Sequence, residues 1–180
     1  DAVNLLLGLW NLQINWRRGQ TWNLNAPRKP VNRVCLGPIH TLHLKSGELT
    51  GKHWWYETGY CGPVRVFHLD SDLPTLLTGV TKFRKRLGRV AYRSCVESMI
   101  RNYNLALADS DLGSSFLRLW QVLESATGTE ARDSQRAVTE RAAFILKDYE
   151  YHLGVLNHLR TQRNSFVHSG EERSTMETNL

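Results

Sequence analysis

The apolar residues of this chain change their period near residue 80, and this change constrains the fold more than any other feature. From Val80 to Tyr103 and from Leu112 to Ala126, apolar side chains recur every three or four residues, as in an amphipathic helix. The first of these helices is predicted to end near Asp109. Asp111 is a suitable N-cap for the second helix, and Gly128 is a suitable stop.

Two more helices complete the second half of the chain. They are predicted from Arg136 to Leu146 and from about Tyr149 to His168, with Gly170 placed to cap the last one. Amphipathic helices joined by short loops predict an antiparallel bundle of four to five helices. We therefore expect a helical domain over residues 80–172, followed by a tail over residues 173–180.

The first 79 residues are predicted to be rich in strands. From Trp10 to Trp16, apolar and polar residues alternate with a period of two, which indicates a half-buried strand, and a second strand is expected around Trp22. The segment IHTLHLKSGELTGKHWWYE indicates a hairpin with its turn at KSGE. One more strand is expected before Pro74. The fold class is thus predicted to be α+β, and residues 1–79 are interpreted as the end of a larger N-terminal domain.

Composition and charge favour a soluble globular protein that binds polyanions. Hydrophobic residues make up 41% and charged residues 22% of the chain, and the formal net charge is +6. This charge favours RNA or DNA as partners over acidic proteins or anionic lipids. The longest apolar run, LLLGLW, is too short to cross a bilayer, so no membrane partner is predicted. Because the chain starts with Asp rather than Met, we expect further domains of a longer chain.

The three cysteines are an odd number without a Cys-x-x-Cys spacing, which suggests reduced thiols and a cytoplasmic protein. A metal site has to be weighed, since Cys35, Cys61 and four histidines lie between residues 35 and 68. His40 and His43 are the only close pair, and residues three apart on a strand point to opposite faces. The favoured interpretation is therefore that these are ordinary histidines of a hairpin. Neither a metal nor a cofactor is predicted.

Arg163 interrupts the apolar stripe of the last predicted helix. Leu156, Leu159 and Phe166 define a stripe in which position 163 should also face the core. A buried guanidinium is costly unless it is paired, reaches solvent or reaches another subunit. The presence of an arginine here therefore needs a reason.

A polar face lies beside that stripe. At roughly 100° per residue, four residues fall within about 80° of one another on the helix: Asn157, Arg160, Asn164 and His168. Arg163 lies about 140° from His168 around the same axis. The simplest interpretation is a solvated face with His168 favourable at the helix C-terminus, but this leaves Arg163 unexplained.

These residue types suit metal-independent cleavage of RNA. RNA carries its own nucleophile, the 2′-hydroxyl, so the protein has to supply a base, an acid and a cation for the transition state. Histidine transfers protons, arginine holds two phosphoryl oxygens, and asparagine orients either group. The cluster has one histidine, whereas in-line cleavage needs a base and an acid. A symmetric dimer that abuts two such helices would supply both.

Two segments of the helical half resemble one known family. The sequence RNSFVH, residues 163–168, is similar to the Arg-Asn-x-x-x-His motif of HEPN domains, helical bundles many of which are metal-independent ribonucleases. The segment FLRLWQVLESATG resembles the corresponding helix of that family, in which residues of the type of Trp120 and Glu124 are expected. The resemblance covers roughly residues 80–170.

The resemblance implies an RNA endonuclease whose site forms between two copies of the chain. Arg163 and His168 are the implied reactive pair and Asn164 their organiser, with Arg160 and Glu124 in support. It also implies a homodimer through the motif helix, RNA products with 2′,3′-cyclic phosphate ends, and a role as a toxin or in antiviral defence beside a defence-system partner. The alternative is a non-catalytic HEPN module that dimerises or binds nucleotides and regulates a partner effector.

Two supporting assignments have alternatives. Glu124 either pairs with Arg163 across the bundle or is an ordinary surface carboxylate one turn after Trp120. The run KFRKRLGRVAYR holds six basic residues and no acidic one, and Arg86 and Arg89 within it are interpreted as contacts to a phosphate backbone. The alternative for this run is the solvated face of a long helix. Binding through it alone would make the chain a sequence-tolerant nucleic-acid binder.

Overall fold

The computed structural model describes residues 2–15, 31–57, 60, 62, 69–129 and 132–169, and within them the fold is α+β. Two antiparallel strands form a hairpin: β1 (Ile39–His43) and β2 (Leu49–Tyr56). Six helices make up most of the rest: α1 (Ala2–Asn15), α2 (Leu69–Leu87), α3 (Arg93–Ala108), α4 (Leu112–Ala126), α5 (Gln135–Ile145) and α6 (Tyr149–Ser169).

The helices pack as a series of neighbours. Helix α2 packs on α1, α1 on α3, and α3 on α4, while α4 contacts both members of the α5–α6 pair. Connections over residues 109–111 and 146–148 join α3 to α4 and α5 to α6, and such short connections make these neighbours antiparallel, as in a bundle. None of the helices in the described ranges combines the length and hydrophobicity needed to cross a membrane.

Helix α1 replaces a predicted strand, so the prediction from Trp10 to Trp16 is wrong over its described part. Leu5 and Leu9, four residues apart, pack in one core with α2 and α3. Asn11, which the alternation places on the outer side of a strand, is fully buried. Because α1 is covered by both α2 and α3, the alternation does not mark one outer face. The strand expected around Trp22 lies outside the described residues.

The core between the first three helices contains Leu9, Leu76, Val80 and Ile100. Gly8 allows α1 and α3 to approach closely at this core. A Cβ atom at Gly8 would lie 2.6 Å from Ile100 Cγ2 and 2.7 Å from the Ile100 carbonyl oxygen, which is too close for any side chain. The contact between the N-terminal helix and the helical half therefore depends on this glycine.

The long helix predicted from Val80 to Asp109 is two helices with a turn between them. Helix α2 begins at Leu69 and contains Pro74, so the strand predicted before Pro74 is wrong where the chain is described. Tight bonds of the 3₁₀ type close its end, from the Arg89 N–H to the Arg86 carbonyl and from Val90 to Leu87. The apolar period continues across this turn, which is why the period alone did not reveal the break.

The predicted domain boundary between residues 79 and 80 falls inside α2. Val80 shares its core with Leu9 and Ile100, so the described parts of the N-terminal region and the helical half pack together. The predicted tail over residues 173–180 lies outside the described residues, as does Gly170.

Several local predictions are confirmed. The hairpin turns through Leu44 to Glu48, with Gly47 in the left-handed region at φ 92°. The Asp111 carboxylate caps α4 by accepting a hydrogen bond from the Ser114 N–H at 2.8 Å. Gly128 follows α4 at φ 62°. Helices α5 and α6 begin and end within one residue of the predicted positions.

Three buried asparagines fasten the loop before β1 to α1 and α3. Asn11, Asn32 and Asn104 are each at most 3% exposed. Asn11 Oδ1 accepts hydrogen bonds from the Arg33 and Val34 N–H groups at 3.1 and 3.0 Å, and Asn11 Nδ2 donates to Asn104 Oδ1 at 3.0 Å. Asn32 Nδ2 donates to the Asn104 carbonyl at 2.7 Å. Buried amides of this kind are stable because each has partners.

Candidate functional site

The motif RNSFVH lies near the C-terminal end of α6, beyond the N-terminal end of the antiparallel helix α5. The Thr139 hydroxyl is 3.2 Å from Asn157 Oδ1, which fixes the alignment of these antiparallel helices. Helix α5 begins four residues before Thr139, whereas α6 continues for twelve residues after Asn157. At 1.5 Å per residue, α6 extends roughly 12 Å past the start of α5. The motif residues lie on this extension.

Arg163 is half-buried, on the same side of α6 as Leu156 and Leu159. Its Nη1 donates a hydrogen bond to Asn164 Oδ1 at 3.3 Å. Arg160, one turn earlier, is also half-buried. Within the described ranges, neither guanidinium forms an ion pair with a carboxylate. Within those ranges, the two positive charges at this end of the bundle therefore have no carboxylate beside them, and a guanidinium of this kind suits an anionic ligand.

His168 lies in the last turn of α6, and its side chain is outside the described residues. Because α6 is helical from Tyr149 to Ser169, Arg163 and His168 leave the helix about 140° apart. The Cα atoms of the two residues therefore lie on different sides of α6. Their convergence at one phosphate stays a prediction, which depends either on the length of the Arg163 side chain or on a second helix that meets α6.

Phe166 fixes the motif segment to α4. Its ring centroid is 6.1 Å from that of Phe116, which in turn lies 6.2 Å from the ring of Trp120. A Cβ atom at Gly113 would lie 3.3 Å from Cε1 of Phe166, so the glycine gives the ring its space. The sequence identified Phe166 only as a stripe residue, and Gly113 carried no signal. Their joint role follows from the contact between α4 and α6.

Glu124 is part of a half-buried polar triad, and neither sequence interpretation of it is correct. Its Oε1 accepts hydrogen bonds from Trp120 Nε1 at 3.1 Å and from Gln135 Nε2 at 2.9 Å. Trp120 Nε1 also lies 2.8 Å from Gln135 Oε1. Since Gln135 is the first residue of α5, this carboxylate joins α4 to the start of α5 and does not pair with Arg163. A pattern within one helix could not show a partner eleven residues away.

Replacement of Glu124 by leucine is expected to destabilise the fold by about 1–3 kcal/mol, because the Trp120 and Gln135 donors lose their acceptor. Glu140→Leu is the matched control, since the Glu140 carboxylate makes an exposed ion pair with Arg136 on the surface of α5. Urea unfolding of both variants measures the difference. Equal stability of the two variants would contradict a structural role for Glu124.

The structure does not bring Arg86 and Arg89 to the motif. Arg86 is exposed in the last turn of α2 and Arg89 is exposed in the following turn. Helix α2 packs on α1, whereas α6 packs on α5 and α4. Arg93 starts a new helix and pairs with Glu97 at 2.7 Å, so the run does not continue along one helix. Arg86 and Arg89 therefore belong to a part of the described chain that does not pack against the motif helix.

Two histidines of the hairpin, His40 and His43, have structural partners. His40 stacks on Trp55 with ring centroids 5.0 Å apart, and its Nε2 is 3.2 Å from Glu57 Oε1. The His43 ring lies between the Thr41 hydroxyl at 2.9 Å and the Gly47 carbonyl at 2.8 Å. Among the described residues, no three Cys, His, Asp or Glu side chains converge as metal ligands would. Cys61 and His68 lie outside those residues.

A cleft of about 260 Å³ lies between the loop before β1, α1 and α3. Glu57 is the one charged side chain among the described residues that line it, so it offers no cation to a phosphate. Burial raises the pKa of the Cys35 thiol, which donates a hydrogen bond to the Asn32 carbonyl at 3.4 Å. A protonated thiol is a poor nucleophile. The cleft is therefore a weaker candidate than the motif end of α6.

Comparisons with known protein families, with curated proteins and with solved structures give no match to this chain. A functional assignment therefore has to come from its own residues. Of the predicted site residues, α6 carries Arg160, Arg163, Asn164 and His168 in its last three turns, while Glu124, Arg86 and Arg89 serve elsewhere.

Proposed function

We propose that this protein is a metal-independent RNA endonuclease of the HEPN type, with a site completed by a second copy of the chain. The observation that carries the proposal is the state of Arg163. Its guanidinium is half-buried, donates a hydrogen bond to Asn164, and has no carboxylate partner among the described residues. A guanidinium held in this way is available to the non-bridging oxygens of a phosphodiester, which it can bind in a bidentate manner.

The reaction needs no group beyond RNA and the residues of α6. One His168 removes the proton of the 2′-hydroxyl, whose oxygen attacks phosphorus. The P–O5′ bond breaks, and His168 of the partner subunit protonates the leaving 5′-oxygen. The products are a 2′,3′-cyclic phosphate and a 5′-hydroxyl. Arg163 stabilises the charge that develops on the phosphorane, and Asn164 holds the Arg163 side chain.

The remaining cations have secondary roles in this proposal. In this proposal Arg160, which lies one turn before Arg163 on α6, holds an adjacent phosphate. Arg86 and Arg89 contribute to the positive field that attracts RNA, together with other exposed cations at the end of α2. We propose a cytoplasmic toxin or antiviral-defence setting, on the resemblance to HEPN nucleases alone.

The proposal is tested by incubating wild type and His168→Ala with a mixture of tRNA and mRNA in EDTA, followed by end-group analysis. Wild type is expected to release fragments with cyclic phosphate ends, whereas His168→Ala is expected to lose roughly 100-fold or more in rate. Circular dichroism and urea unfolding are the controls that the variant is folded. A folded His168→Ala that cleaves at the wild-type rate would remove the mechanism.

The second candidate is a non-catalytic module that binds a nucleotide or regulates a partner effector. The same two arginines, Arg160 and Arg163, which have no carboxylate partner in the described part of the chain, suit the phosphates of a bound nucleotide. This candidate is favoured if RNA stays intact in every condition while Arg163→Ala weakens nucleotide binding.

A further inference from the structure

The cleft of about 260 Å³ between α1, α3 and the loop before β1 is built by separate parts of the chain. Leu7 of α1, Leu105 of α3 and Val34 of the loop give it apolar walls, and the turn after β2 adds Glu57 and Tyr60. Sites for drug-sized ligands have volumes of roughly 300–1,000 Å³. A cleft of this size therefore suits a smaller ligand, such as a single nucleobase.

A buried amide in the wall of the cleft keeps a hydrogen-bond donor for a ligand. Asn104 is 3% exposed, and its Oδ1 accepts hydrogen bonds from Asn11 Nδ2 at 3.0 Å and from Asn32 Nδ2 at 3.1 Å. These two bonds fix which way the amide is turned. Asn104 Nδ2 donates to Asn4 Oδ1, another residue of the wall, at 3.5 Å. Its second N–H has no acceptor among the described residues, although buried donors are usually paired.

Glu57 brings a carboxylate to the rim of the same cleft. Its backbone N–H donates to the Pro38 carbonyl at 2.9 Å, and its carbonyl accepts from the Tyr60 N–H at 3.2 Å, so the backbone holds Glu57 and Tyr60 together. Glu57 Oε1 lies 3.2 Å from His40 Nε2, but this contact does not have the geometry of a hydrogen bond. Since a carboxylate has about four acceptor positions, Glu57 can accept from two adjacent N–H groups.

We infer that this cleft binds a guanine base. Guanine carries an acceptor, O6, beside two donors, N1–H and N2–H, along one edge. In this assignment the Glu57 carboxylate accepts from N1–H and N2–H, and Asn104 Nδ2 donates to O6. The half-buried ring of Tyr60 and the apolar walls cover the faces of the base, as aromatic and aliphatic side chains do for unstacked bases.

The charges and hydrogen-bonding groups of the cleft disfavour other ligands. No cation lines it in the described part of the chain, so a phosphate group stays outside. Burial raises the pKa of the Cys35 thiol, so this wall residue adds no negative charge at neutral pH. An ammonium or guanidinium group suits Glu57, but it has no acceptor for the Asn104 N–H. Adenine has its N6 donor where guanine has O6, which sets donor against donor.

Guanine binding in this cleft is separate from the proposed cleavage reaction. The cleft lies between α1 and α3, whereas the motif helix α6 packs on α4 and α5. The binding site therefore does not rest on the proposed ribonuclease activity. The base can belong to a free nucleoside or to an RNA strand, and the hydrogen bonds are the same in both cases.

Isothermal titration calorimetry with guanosine and adenosine tests the cleft in wild type, Glu57→Gln and Glu48→Gln. Wild type is expected to bind guanosine roughly 10–100-fold more tightly than adenosine. Glu57→Gln is expected to lose a similar factor for guanosine, because its amide sets a donor against the donors of the base. Glu48→Gln is the matched control, since Glu48 lies in the hairpin turn beside Ser46, and it should keep the wild-type affinity. Urea unfolding is the control that Glu57→Gln is folded.

Competition titrations identify the source of the base. A 2′-deoxy oligonucleotide with one guanine, which has no 2′-hydroxyl to attack, displaces guanosine if the cleft takes the base from a strand, and an all-adenine oligonucleotide does not. A free nucleoside is the ligand if neither competes.

The assignment is overturned if wild type binds no guanosine at about 1 mM, binds adenosine equally well, or keeps its affinity in Glu57→Gln. Agmatine, a guanidinium compound, that binds as tightly as guanosine would also overturn it. If guanosine binds as expected while RNA stays intact, the proposed ribonuclease function fails and the guanine site stands.

Discussion

A His168→Ala variant mixed in equal amounts with wild type is expected to lower RNA cleavage to about a quarter of the activity of the same total amount of wild type. In the proposed mechanism one His168 is the base and the partner's His168 is the acid, so a dimer with a single His168 should lose roughly 10²–10⁴ of the rate. Random exchange leaves about a quarter of the dimers with two wild-type chains, and only these dimers are expected to be active.

The reason lies in the single histidine of the motif, because in-line cleavage takes both a base and an acid. Activity is measured by the rate of cyclic-phosphate release after the chains have exchanged subunits. The control mixes wild type with Asn102→Ala, a substitution on α3, and this mixture should keep the full rate. A mixture of wild type and His168→Ala that keeps half of the wild-type activity, with mixed dimers present, would mean that each copy carries its own complete site.

Asn11→Ala is expected to cost about 3 kcal/mol of folding stability, the largest loss that we expect from a single polar residue of this chain. The side chain is fully buried and makes four hydrogen bonds, to the backbone of residues 33–34 and to Asn104. Truncation to alanine leaves the Arg33 and Val34 N–H groups without their acceptor, and it leaves the Val34 carbonyl and Asn104 Oδ1 without their donor. Urea unfolding at neutral pH measures the loss.

Asn102→Ala is the matched control on α3, where the side chain is half-buried and outside the asparagine network. It should be within about 0.5 kcal/mol of wild type. If Asn11→Ala and Asn102→Ala unfold at the same urea concentration, the network does not fasten the loop before β1. The loss expected for Asn11→Ala also bears on domain organisation, because the network ties the N-terminal helix to the helical half.

Elements that depend on neighbouring residues could be predicted from the sequence. The hairpin, the Asp111 cap and the bounds of α5 and α6 follow from turn residues, a capping side chain and apolar spacing within a few positions. Each of these signals acts within one or two turns of the chain. For the same reason, the position of Arg163 in an apolar stripe follows from the spacing of the leucines and the phenylalanine around it.

Elements that depend on distant residues could not be predicted. The alternation from Trp10 to Ile14 indicated a strand, and the packing of α1 against both α2 and α3 made it a helix with Asn11 inside. Glu124 fitted either a partner for Arg163 or a surface carboxylate, and it instead accepts hydrogen bonds from Trp120 and Gln135. In both cases, a contact between separate elements outweighed the local pattern.

The sequence by itself determined which residues the candidate site contains, because the spacing of Arg163, Asn164 and His168 on one helix is a local property. Only the tertiary structure decided how they are presented. It extends α6 past the start of α5 and leaves Arg163 half-buried, without a carboxylate partner among the described residues. These features depend on which helices lie beside α6 and where those helices end, and local spacing does not encode either.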